Sequence, residues 1–90
     1  MYKIEFAPNA RKELAKLEKS ESLAYKKLGK LIQELVEHPQ IGIGHPEQLG
    51  RDRTGQWSRR ITQKHRLTYQ IIEESATVFI LSCYGHYEDK

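Results

Sequence analysis

Leu28, Leu31, Ile32, Leu35 and Val36 fall at i, i+3, i+4, i+7 and i+8. No other feature constrains the fold of this chain as tightly. Such spacing places all five on one side of an α-helix, and that side has to be buried against another element. Pro39 lacks a backbone N–H and pushes His38 out of the helical region, so the helix ends there. An earlier stripe, Ala10, Leu14 and Leu17, follows Pro8 and Asn9. Proline suits a first helical turn and asparagine can cap one. This first helix should fade near Lys19 and Ser20, with the second starting between Ser20 and Ser22. Two consecutive helices with apolar stripes form an antiparallel hairpin that needs a sheet to cover.

The remaining sequence supplies that sheet. Tyr2, Ile4 and Phe6 alternate with Lys3 and Glu5 in a first short strand. Residues 40–56 are punctuated by Gly42, Gly44, Pro46, Gly50 and Gly55 and read as a loop with short extended pieces. Beyond it Trp57, Arg59 and Ile61 alternate with Ser58, Arg60 and Thr62, and Leu67, Tyr69 and Ile71 alternate with Arg66, Thr68 and Gln70. Thr77 to Tyr84 is a nearly unbroken β-rich run, expected as a central strand buried on both faces. The order β-α-α-β-β-β predicts an α+β fold: an N-terminal strand and helical hairpin packed on a mainly antiparallel, twisted sheet. Ninety residues leave room for one domain, 1–90. A three-residue turn, Gln63-Lys64-His65, would set Ile61 opposite Leu67 and Trp57 opposite Ile71. Arg60 and Arg66 would then be diagonal neighbours on the other face.

Charge is concentrated in the same region. The formal net charge of +3 hides a window, Arg51 to Arg66, with six basic residues and one acid. Five of the six arginines lie in it, and the rest of the chain carries a net −2. Arginine is suited to bidentate phosphate recognition, so the cluster reads as a footprint for a polyanion, with a plain solvated face as the alternative. The adjacent strands offer no acids to balance Arg60 and Arg66, which favours an anion there. Other classes are excluded. The longest apolar run, Ala76 to Cys83, is too short to span a membrane. No basic and apolar leader opens the chain, so the expected address is the cytoplasm. A single cysteine, Cys83, allows no internal disulfide and reads as a core residue. His38, His45, His65 and His86 lie in no metal-ligand spacing, so neither a metal nor another cofactor is expected.

The candidates for chemistry are then Glu47, in the irregular segment Gly44-His45-Pro46-Glu47-Gln48-Leu49, the arginines, and His86-Tyr87 after the last strand. Brought together, they form a base, an acid and anion stabilisers, the groups needed to cleave RNA without a metal. The base takes the proton of a ribose 2′-OH, which attacks the adjacent phosphorus. Arginines stabilise the equatorial oxygens, and the acid protonates the leaving 5′-oxygen. Taken alone, Glu47 reads more readily as a surface carboxylate than as a base.

Gly44-His45-Pro46-Glu47-Gln48-Leu49, Gly55-Gln56-Trp57-Ser58-Arg59-Arg60-Ile61, His65-Arg66-Leu67-Thr68-Tyr69 and Cys83-Tyr84-Gly85-His86-Tyr87 together resemble the YoeB family of bacterial toxins, within the RelE/ParE superfamily. The motifs span residues 41–87; residues 1–40 agree in their strand-helix-helix order. The resemblance implies a RelE-like fold and a type II toxin-antitoxin toxin that acts as a ribosome-dependent mRNA endonuclease, cleaving mRNA in the decoding site and inhibiting translation. It implies catalytic roles for Glu47 as base, His86 as acid, Arg66 as transition-state stabiliser and Tyr87 in positioning the RNA. Arg60 would assist, and Arg59, Arg51, Arg53 and Lys64 would join it in binding RNA. The implied partners are the ribosome, mRNA, a YefM/Phd-like antitoxin whose acidic segment covers the arginine face, and a second copy of the chain. Two departures stand out: Gly50 occupies a position where family members often carry Lys, and Glu88-Asp89-Lys90 follows the His-Tyr pair. The competing class is a non-enzymatic toxin on the same fold, catalytically inactive or a ParE-like gyrase inhibitor, which would not need Glu47 and His86 together.

Overall fold

The computed structural model describes residues 1–50 and 55–85. The alternating N-terminal segment forms β1 (Lys3–Phe6), followed by α1 (Pro8–Ser20) and α2 (Ser22–Glu37). A two-residue strand, β2 (Glu47–Gln48), emerges from the glycine-punctuated loop, and β3 (Gln56–Arg60), β4 (Arg66–Ile72) and β5 (Thr77–Ser82) complete the set. A short 3-10 turn, Glu73–Ser75, joins β4 to β5, with Ala76 in the left-handed region at its end. The sheet runs in the order β1-β5-β4-β3-β2. Among the described residues β1 and β5 pair in parallel and the other neighbouring strands are antiparallel. The helical hairpin carries the chain from β1 to β2 at the opposite edge of the sheet, and the antiparallel run β2-β3-β4-β5 brings it back to lie parallel to β1.

Both helices begin without a side-chain cap. Asn9 does not cap α1. Ala7 holds that position, Pro8 opens the helix with no N–H to satisfy, and the Asn9 amide instead lies 3.5 Å from Glu13 Oε2. Glu21 stands at the start of α2, but its carboxylate is engaged across the molecule by His65 and Lys64.

The predicted stripes point inward. Leu17, Leu28, Leu31 and Leu35 are fully buried against Leu67, Tyr69, Val78 and Ile80, with Ile61 and Cys83 closing the ends. Burying each large apolar side chain contributes about 1.5–3 kcal/mol. Burial pushes the Cys83 thiol up to about 12, with the Glu13 carboxylate adding to the effect, so it stays protonated as a core residue.

The register of the β3–β4 hairpin differs from the expectation. Trp57 pairs with Tyr69, Arg59 with Leu67 and Arg60 with Arg66. The turn spans residues 61–65, because Ile61 leaves the ladder and its N–H donates to the His65 carbonyl. The Thr62 hydroxyl oxygen organises the turn by accepting from the Lys64 and His65 N–H groups. The shift moves every pairing by two positions, so each side chain keeps its predicted face. Arg60 and Arg66 therefore face each other directly rather than diagonally.

Candidate functional site

The sheet has two faces of different character. Trp57, Arg59, Leu67 and Tyr69 point towards the helices, as their packing on the core and their bonds to α2 and the loop after it show. Strand alternation sends Ser58, Arg60, Arg66 and Thr68 to the opposite face.

Glu47 joins that second face. It pairs with Ser58 across β2 and β3, and Ser58 pairs with Thr68, which stands opposite Ser82 on β5. The result is a row, Glu47–Ser58–Thr68–Ser82, running across four strands. Ser82 reaches its place because a register shift between Thr68 and Tyr69 interrupts the β4–β5 ladder. Arg66 leans onto the row, its Nη1 donating to Ser58 Oγ at 3.2 Å. Arg60, exposed, lies opposite Arg66, and two guanidinium groups in direct register repel unless an anion lies between them. Thr68 Oγ1 is buried and, among the described residues, is the one buried side-chain polar atom without a hydrogen-bond partner.

The loop that carries Glu47 is held from both sides. Gly44 donates no side chain but its carbonyl accepts from the Arg60 N–H at 2.7 Å. Its φ of 81° is left-handed, and a Cβ there would come within 2.9 Å of the Arg60 carbonyl oxygen and 3.0 Å of Leu31. Glycine is needed both for the backbone angle and for the close approach. His45 follows with φ 52°, turning the chain into Pro46 and Glu47.

Arg59 corrects the sequence reading. It was expected to contact RNA, yet it is fully buried and spends all five of its N–H donors inside the molecule. Nε donates to the Tyr69 hydroxyl, Nη1 to Glu34 Oε1 at 2.6 Å and to the Ile43 carbonyl, and Nη2 to the His38 and Ile41 carbonyls. The Tyr69 hydroxyl in turn donates to the Pro39 carbonyl. Glu34 Oε1 also accepts from the Ile43 N–H. Desolvation opposes ionisation of Glu34, but bonds from the Ile43 amide and Arg59 prevail and hold its carboxyl below the usual range. Arg59 is thus the organiser of residues 38–43, the first part of the chain between α2 and Glu47. The signal in the sequence is its phase, since it shares the face of Trp57 and Ile61 and alternates with Arg60.

Lys64 is exposed but drawn to Glu21 Oε2 at 3.4 Å, beside the helical hairpin. The structure therefore brings together Glu47, Arg60 and Arg66, adds Ser58 and Thr68, and removes Arg59. Arg51, Arg53, His86 and Tyr87 lie outside the described residues. His65 was missed as a contributor: nothing in its spacing announces that a turn residue is fully buried. Among the described residues no group of three or more His, Cys, Asp or Glu side chains is placed to hold a metal ion.

Comparison with known proteins gives this surface its context. The model of the YoeB-like toxins of bacterial type II toxin-antitoxin systems matches residues 6–87. The chain belongs to that family. Toxin YoeB of Escherichia coli strain K12 is 42% identical over 62 residues, covering 69% of this chain and 71% of that one. A YoeB dimer from Staphylococcus aureus superposes with a TM-score of 0.84 at 32% identity, covering 96% and 98% of the two chains. A YoeB–YefM complex from the same organism gives 0.83 at 32% identity, covering 97% and 99%. The α+β architecture is the one shared by these YoeB-like toxins.

Proposed function

We propose that this YoeB-family toxin is a ribosome-dependent endoribonuclease that cuts mRNA in the decoding site by acid–base transesterification without a metal. The observation that carries the reading is the placement of Glu47, Arg60 and Arg66 around Ser58 on one sheet face. Glu47, exposed on the edge strand, accepts the proton of a ribose 2′-OH. The resulting oxyanion attacks the adjacent phosphorus, forming a 2′,3′-cyclic phosphate as the bond to the 5′-oxygen breaks. Arg66, steadied by Ser58, and Arg60 carry the charge that develops on the equatorial oxygens. His86 protonates the leaving oxygen and Tyr87 orients the RNA. Arg51, Arg53 and Lys64 extend the basic surface along the message.

The same face is the docking surface for a YefM/Phd-like antitoxin. An acidic segment laid across Arg60 and Arg66 would replace the phosphates and silence the site. The S. aureus relatives, one a dimer and one a complex with YefM, support both an antitoxin partner and a homodimer for this chain. The cytoplasm, where ribosomes are, is the corresponding location.

Mapping 5′-ends on translating ribosomes tests the assignment. Cutting should appear with the unsubstituted chain and fall by about 100-fold or more for Glu47→Gln and for His86→Gln, within the range lost with a general acid or base. Unchanged cutting by both variants would remove the acid–base pair. Inhibition of gyrase supercoiling, with no RNA cleavage, would instead support the ParE-like alternative.

A further inference from the structure

His65 sits at the end of the β3–β4 turn and is fully buried, with a bond on each side of its ring. Nδ1 accepts from the Gly85 N–H at 2.8 Å, and Nε2 lies 2.9 Å from Glu21 Oε1. A backbone N–H can only donate, so Nδ1 carries a lone pair and Nε2 carries the hydrogen given to Glu21. The hydrogen bond to His65 is the main cause holding the Glu21 carboxyl below its usual range, against an opposing desolvation effect. The Tyr84 ring packs on the imidazole with centroids 4.5 Å apart, and Lys16 Nζ lies 4.3 Å from the centre of the other ring partner, Tyr84.

Gly85 is held on its carbonyl side as well, where the Arg66 N–H donates at 3.0 Å. Both peptide groups of Gly85 are thus fixed by consecutive residues, His65 at the end of the turn and Arg66 at the start of β4. Its φ of 77° bends the chain in a way that side-chain-bearing residues rarely adopt. The next residue in the chain is His86. The clamp consequently ties the stem of the segment bearing the acid to the strand bearing the phosphate stabiliser.

We propose that His65 is a positioning residue: its Nδ1, acting with the Arg66 amide, sets the direction in which the chain leaves β5 at Gly85 and thereby the rate of RNA cleavage. This rests on the catalytic reading of His86 given above. An imidazole is suited to the task because one rigid ring accepts at one nitrogen and donates at the other. Glu21 locks the tautomer that leaves Nδ1 free to accept, and it does so from the helical hairpin, an element otherwise remote from the sheet face.

Two substitutions divide the ring into its halves. In His65→Asn the amide oxygen occupies the place of Nδ1 and can accept from Gly85, while the bond to Glu21 is lost. In His65→Gln the amide reaches Glu21 from the place of Nε2, and the Gly85 N–H is orphaned. Both lose packing on Tyr84, so the drop in thermal stability common to both measures the purely structural contribution. The experiment uses the full chain and compares single-turnover cleavage at saturating ribosome–mRNA complex with hydrogen exchange at the Gly85 amide.

His65→Gln should slow cleavage by about 10- to 100-fold, the cost of a small misplacement of a reacting group, with unchanged affinity for the ribosome complex. His65→Asn should stay near the rate of the unsubstituted chain and keep the Gly85 amide protected. Equal losses in both variants, or an undiminished rate in His65→Gln with the Gly85 amide released, would overturn the proposal. Should the unsubstituted chain fail to cut RNA, the catalytic reading falls, and Gly85 protection decides the clamp alone. Protection kept in Asn and lost in Gln supports it; the same protection in both removes it.

Discussion

Arg59 shows how much one side chain can decide. A buried guanidinium is tolerable only when its charge and every donor are matched, and Glu34, Tyr69 and the carbonyls of His38, Ile41 and Ile43 do this together. Arg59→Ala leaves the Glu34 carboxylate and three carbonyls without their partner. It should cost about 3–5 kcal/mol, the range for breaking a buried ion pair. Urea unfolding measures this, and an Arg59→Ala protein within about 1 kcal/mol of the unsubstituted chain would contradict the assigned role. Arg66 makes the contrast. It is the same residue type in the same basic window, but an even position on the strand sends it to the other face, where its Nη1 meets Ser58. A local charge count treats the two arginines alike; strand parity separates them.

At the scale of elements, β2 is the part least supported by its own sequence. Two residues cannot form a strand unaided, and Glu47 and Gln48 owe their pairing to the loop that docks ahead of them. The critical contact is Gly44 against the Arg60 backbone. Gly44→Ala should destabilise the protein by about 1–3 kcal/mol, the cost of a non-glycine residue in a left-handed conformation, increased by any displacement of Leu31. A lowered urea midpoint at unchanged slope would show this, and cleavage should fall with it because Glu47 moves. Gly44→Ala with full stability and full activity would show that the loop is not held as described. The helices and the longer strands were legible in the sequence because each repeats a period over many residues. The hairpin register was not. A two-position shift preserves every side chain's face, so the hydrophobic pattern could not distinguish the alternatives. The five-residue turn, with Thr62 capping two backbone N–H groups, made that choice.

At the scale of the molecule, two carboxylates bind distant parts of the chain together. Glu21 joins the helical hairpin to the β3–β4 turn, and Glu34 joins α2 to Arg59 and the loop. Both titrate below the ordinary value of 4.5 in the folded protein. A depressed carboxylate adds stability above its unfolded pKa and loses it as pH falls through the folded one. Thermal unfolding should therefore show a nearly level carboxylate contribution above about pH 5 and a decline below about pH 4.5, reduced in Glu34→Gln. An unchanged acid profile in that variant would remove Glu34 from the account. The sequence by itself determined the α+β class, the two helix stripes, the faces of the strands and the concentration of arginine, because all of these follow from local periodicity and composition. The family resemblance carried by its motifs named Glu47, Arg66, His86 and Tyr87 as the catalytic set. Only the tertiary structure decided that Arg59 is an internal organiser, that Glu47 stands in register with the Ser58 to which Arg66 bonds, and that His65 holds Gly85. Each of those depends on contacts between residues distant along the chain, and such contacts are set by packing and complete hydrogen bonding rather than by any spacing the chain displays.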